Sequence, residues 1–121
     1  MSKLAIEVLN DYPLATEAAR DWFLKKMIES FEQDNAPEDF KNHMLSRGVS
    51  DITLAIMLDQ NPRAFFDVLD ENKLIVEIIY AGNGLFYFTI NDKNFPNSGD
   101  FQGRVPCERA AVIAAFEKLN N

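Results

Sequence analysis

A chain of 121 residues, 47% apolar and 26% charged, falls in the commonest size range for one domain and carries enough apolar side chain for a single core. No apolar run approaches the roughly 20 residues a bilayer requires, and no charged-then-apolar leader opens the chain, so residues 1–121 are expected to form one soluble, cytoplasmic domain. The single cysteine, Cys107, makes neither an internal disulfide nor a thiolate metal site, and a net charge of -7 argues against nucleic acid and anionic lipid as partners.

Residues 3–9, KLAIEVL, fit two periods at once. Leu4, Ile6 and Val8 alternate as in a strand, whereas Leu4, Ala5, Val8 and Leu9 share one helical face. Pro13 suits the first position of a long helix running to about Gln33, because its missing N–H has no helical partner there in any case. Along it Ala15, Ala18, Ala19, Trp22, Phe23, Met27 and Phe31 recur at intervals of three and four, the stripe of a core-facing helix. Pro37 marks the next start, with Glu38 and Asp39 in a first turn where carboxylates meet the positive end of the helix dipole. Gly48 closes that helix, Ser50 is the predicted N-cap of another over 51–60, and Pro62 opens a short fourth, PRAFFDVLD.

Across Gly48 the stretch SRGVSDITLAIML, residues 46–58, resembles a helix-turn-helix, with Val49, Leu54 and Met57 at the buried positions. A hairpin after it serves as a wing, so the resemblance implies a winged-helix-like arrangement. The stretch departs from the pattern at Arg47, where the family has an apolar residue, and at Met44, where it has alanine. Outward positions of the second helix are Ser50, Asp51, Ile52, Ala55, Ile56 and Asp59, which lack the Arg, Lys, Asn and Gln side chains that dominate base readout. The segment also lacks cations for phosphates, so no nucleic acid is expected as a partner.

The period then changes. KLIVEIIY, AGNG and LFYFTI read as a β-hairpin, because Asn83-Gly84 supplies the two positive-φ residues of a type I′ turn. The register that follows pairs Tyr80 with Tyr87, Ile79 with Phe88 and Ile78 with Thr89. It places Ile75, Ile79, Ala81, Phe86, Phe88 and Ile90 under the helices and Val76, Ile78, Tyr80, Leu85, Tyr87 and Thr89 on the other face. Two strands alone are marginal, so a third, making a three-stranded antiparallel sheet, is expected from residues 3–9 or 101–105. Residues 91–105 read as an irregular loop, and Pro106 as the start of a C-terminal helix with Ala110, Ile113, Ala114 and Leu119 near one face. The expected fold class is therefore α+β: a helical N-terminal half of about four helices, a hairpin and a closing helix.

Assembled catalytic chemistry is absent from the sequence. Cys107 lies in a first helical turn, where the dipole lowers a thiol pKa, but the sole histidine, His43, has no spacing that argues for proximity. Adjacent acids such as Glu38/Asp39 and Asp70/Glu71 are explained by helix ends and solvent. Asp92, Asn94, Asn97 and Asp100 lack the alternating spacing of an EF-hand, so no metal and no cofactor is expected.

Charge placement carries the functional reading. Residues 29–77 hold eleven acids against four bases and so account for the whole net charge of -7. The expected function is a non-catalytic protein-interaction module of the inhibitor, immunity or adaptor kind. Its acidic helical face, through Glu38, Asp39, Asp51, Asp59, Asp67, Asp70 and Glu71, meets a basic protein partner. The alternative is a small-molecule or nucleotide sensor with a pocket between the hairpin and the 91–105 loop. There Tyr80, Tyr87, Phe95, Phe101 and Arg104 stack on and pair an anionic ring ligand. Oligomeric state stays open, a homodimer included.

Overall fold

A computed structural model describes residues 3–94 and 101–121. The first element is a helix, α1 (Ala5–Asp11), which settles the two-period ambiguity. Packing decides it. Ala5, Val8 and Leu9 are buried, whereas Leu4 and Ile6, which a strand would have turned inward with Val8, are 64% and 39% exposed.

Pro13 opens α2 (Pro13–Gln33) as its first helical residue. The α1–α2 corner is tied by Thr16, buried, whose hydroxyl lies 2.9 Å from the carbonyl oxygens of both Leu9 and Tyr12 and donates to one or the other. Only the first turns of α2 are fully buried, at Ala15, Thr16 and Ala19. Its far half carries α3 (Glu38–Arg47), which buries no residue completely and meets α2 through an edge-on Phe31–Phe40 contact at 5.5 Å.

Gly48, at φ 64, ends α3, and Ser50 caps α4 (Asp51–Gln60) by accepting the Thr53 N–H at 3.2 Å, as expected. Leu54 and Leu58, one turn apart, are the buried residues of α4, and Val49 and Met57 pack half-buried beside them. Helix α3 leans on α2, whereas α4 packs on α1 and α6. Pro62–Phe65 form a turn of 3-10 helix that runs directly into α5 (Phe66–Glu71), so the expected fourth helix is a composite.

β1 (Val76–Gly82) and β2 (Leu85–Ile90) form the predicted hairpin around Asn83 and Gly84, at φ 55 and 77. The expected register is corrected. Gly82 faces Leu85 as it should, but Tyr80 then faces Phe86, Ile79 faces Tyr87 and Ile78 faces Phe88. Ala81 is the extra residue of a β-bulge, and Gly82 beside it takes φ 96, a conformation that side chains disfavour. The bulge exchanges the two faces of β1: Val76 and Ile78, not Ile75 and Ile79, join Phe86, Phe88 and Ile90 against the core.

Beyond β2 the third-strand position is shared by two short pieces, β3 (Lys93–Asn94) and β4 (Phe101–Gln102), both antiparallel to β2. Of the two candidate third strands, residues 101–105 supply β4 and residues 3–9 do not contribute. Phe95, Asn97 and Asp100 lie outside the described residues. The last helix, α6 (Arg104–Asn120), starts two residues before Pro106 and touches β1, β2 and β4 as well as α2 and α4. Its fully buried stripe is Cys107, Glu108, Ala111, Val112, Ala115 and Phe116, while the expected Ala110, Ile113, Ala114 and Leu119 form half-buried flanks. The buried face does recur at intervals of one and three, but it carries the charged Glu108, which interrupts its apolar pattern in the sequence.

Glu108 is the unusual member of that stripe. Its side chain is 5% exposed and accepts from Arg63 Nη1 at 3.3 Å, while the arginine itself is 60% exposed. Removing the arginine strands a buried carboxylate, so Arg63→Ala is expected to destabilise the protein by about 1–3 kcal/mol. Glu108→Gln, which removes the charge and keeps the shape, is expected to lose less. Urea midpoints of the two variants check the order.

Candidate functional site

The buried residues form one cluster, and the acidic groups lie around it in three distinct settings. Two of the seven acids singled out by the sequence are engaged inside the fold. Asp51 is ion-paired to Arg20, whose Nε also donates to the Val49 carbonyl at 2.9 Å, so α2 grips the start of α4. Asp59 accepts from Arg109 Nε at 3.0 Å, and the same guanidinium donates to the Lys3 carbonyl at 2.6 Å. Glu38 and Asp39 form the second setting, exposed in the first turn of α3.

Asp67, Asp70 and Glu71 form the third, and they come together. Their spacing of three and four puts all three on one face of α5, opposite the buried Val68 and Leu69. All three are exposed, and none has an ion-pair partner among the described residues. They line one wall of an open groove of about 470 Å³ whose other wall is Trp22 and Lys26 on α2. Lys26 holds its ammonium 5.3 Å from the Trp22 ring centroid and 3.4 Å from Glu29. Three carboxylates against one ammonium leave the lining at -2, counted from those five residues.

What fixes the two walls is a run of edge-to-face rings. Trp22 meets Phe23 at 5.1 Å, Phe23 meets Phe65 at 5.4 Å and Phe65 meets Phe116 at 5.6 Å. Phe65 directly precedes α5, so this run ties α5 to α2 through the core. Trp22 and Lys26 are groove residues that the sequence reading assigned only to a helix; their i, i+4 spacing was the available signal.

Among the described residues, the two tyrosines of the alternative ring pocket lie on opposite faces of the hairpin. In the bulged register Tyr80 shares a face with Phe86, 5.2 Å between ring centroids, and Tyr87 projects with Ile79 from the opposite one. Arg104 stacks over Phe86 at 5.5 Å, while Phe101 lies 6.3 Å from Phe88. Tyr80 and Tyr87 therefore cannot line one pocket, and Phe95 is outside the described residues.

Cys107 is fully enclosed in α6, and His43 is exposed on α3. Burial first, and then the Glu108 carboxylate, push the thiol up to about 11, the reverse of what an exposed first-turn position produces. The native thiol is expected to resist alkylation by iodoacetamide at about pH 8 and to react once the chain is unfolded. Rapid labelling of the native state contradicts that burial. Because the folded value lies above the ordinary 9.0, stability tied to this group is intact below about pH 9 and is lost as pH rises toward 11.

Among the described residues no three His, Cys, Asp or Glu side chains are placed to hold a metal ion, and no helix is long and apolar enough to cross a membrane. The cap Ser50 and the exposed positions of α4, Ile52, Thr53, Ile56, Asp59 and Gln60, carry no cation. Comparison with protein-family models, with curated proteins and with solved structures finds no match to the chain.

Proposed function

We propose that this protein is a non-catalytic cytoplasmic interaction module, of the inhibitor, immunity or adaptor kind, that binds a basic protein partner. One observation carries the reading. Asp67, Asp70 and Glu71 stand on one face of α5 around a groove with no ion-pair partner among the described residues, whereas Asp51 and Asp59 are held by Arg20 and Arg109. Asp70 and Glu71 also sit in the last turn of α5, where the helix dipole disfavours negative charge. Carboxylates kept where they repel one another and the helix end are compensated when a basic surface covers them.

Salt separates this reading from an apolar contact. The Debye length falls from about 10 Å at 0.1 M to about 3 Å at 1 M, so a partner held by this face is captured at low salt and released at high salt. Capture of one stoichiometric basic protein by the tagged chain, its release by salt and its loss on reversal of the α5 acids form the expected pattern. Binding indifferent to both salt and reversal rejects the proposal.

A further inference from the structure

Resting on the acidic-face reading, we propose that the groove between α2 and α5 receives an arginine side chain of the partner, whose guanidinium takes the place over Trp22 that Lys26 fills in the free protein. Two properties of the groove lead there. Its aromatic wall already holds a cation, since the Lys26 ammonium sits 5.3 Å from the Trp22 centroid. That cation does not satisfy the far wall: Lys26 pairs with Glu29 on its own helix, and Asp67, Asp70 and Glu71 have no ion-pair partner among the described residues.

The chemistry of the occupant follows from what each cation can do. A metal ion needs converging oxygen ligands, and no such group of three is found among the described residues. A lysine ammonium is a compact, strongly hydrated point charge, and Lys26 already offers one without engaging α5. A guanidinium is planar and more weakly hydrated. It can lie flat on the indole while its N–H edge donates to carboxylates of α5, contacting both walls together. The groove is open to solvent, which suits a side chain projecting from a protein surface.

Lys26 is then a resident competitor, and its removal is expected to tighten binding in two ways, by vacating the ring face and by making a groove already at -2 more negative. Trp22 is the only tryptophan in the chain, so its emission reports the groove directly. The experiment titrates the whole protein at low salt with an acetylated, amidated peptide of alternating Gly and Arg, and separately with its Lys counterpart. The arginine peptide is expected to change Trp22 emission saturably and to bind about fivefold or more tightly than the lysine peptide. Lys26→Gln is expected to widen that preference, and Asp70→Asn with Glu71→Gln to remove the response while the melting profile stays cooperative.

Equal affinity for the two peptides, a narrower preference in Lys26→Gln, or no saturable response to arginine overturns the proposal. In those cases the acidic-face reading still stands if a basic partner is lost on reversal of Asp67, Asp70 and Glu71. If reversal leaves partner binding intact, both fall.

Discussion

Reversing Asp67, Asp70 and Glu71 to lysine is expected to abolish partner binding, because it places three cations against a basic surface. Removing one member of a buried, hydrogen-bonded charge pair at an interface costs about 2–5 kcal/mol, or about 30-fold to several thousandfold in affinity. Reversal adds repulsion to that loss. The paired neutral variant, Asp70→Asn with Glu71→Gln, separates the electrostatic claim from damage to the fold. It relieves like-charge contacts on α5 and removes negative charge from the last turn, each worth a few tenths of a kcal/mol. The free protein is therefore expected to gain about 0.5–1 kcal/mol, seen as a melting temperature raised by about 2–5 °C, while binding weakens. Thermal melts and calorimetric titration of the captured partner read the two effects separately. Stabilisation with weakened binding marks residues held for contact at the expense of stability. Unchanged affinity for the partner in the lysine variant ends the charge argument.

The limits of sequence reading here have physical causes that can be named. Helix starts at Pro13 and Ser50 were legible because each depends on one residue's backbone chemistry: a missing N–H at one, a capping hydroxyl at the other. Asn83-Gly84 was legible for the same reason, since few residues take positive φ twice in succession. The strand register was not. It depended on whether Ala81 would bulge, and a one-residue shift that leaves the turn intact moves every β1 side chain to the other face. The shared face inferred from pairing Tyr80 with Tyr87 went with it. At α1 both periods contained Leu4 and Val8, and contact with α4 decided between them. The acidic candidates were legible as charge. Their division into ion-paired Asp51 and Asp59 and an Asp67, Asp70 and Glu71 group without ion-pair partners among the described residues required Arg20 and Arg109, which are far away in sequence.

Phe65→Ala is expected to be the most destabilising of the substitutions considered, and its consequence reaches the groove. Phe65 is completely buried and meets Phe23 and Phe116 edge-on, at interplanar angles of 90° and 83°. Truncating a buried phenylalanine costs about 3–5 kcal/mol through lost transfer energy and the cavity left behind. Against the 5–15 kcal/mol typical of a whole domain, that is a large share. Phe65→Leu refills much of the volume and is expected to cost about 1–2 kcal/mol. Both changes remove the ring that links α2 to the residue preceding α5, so both are expected to loosen the groove wall that carries Asp67, Asp70 and Glu71. Binding should therefore weaken in Phe65→Leu even under conditions where the variant is fully folded, with its charges untouched. Urea titrations read the stability and calorimetry at low temperature reads the binding. A loss below about 1 kcal/mol in Phe65→Ala is far short of what a filled core site gives, and shows that α2, α5 and α6 do not share one packed core through this ring.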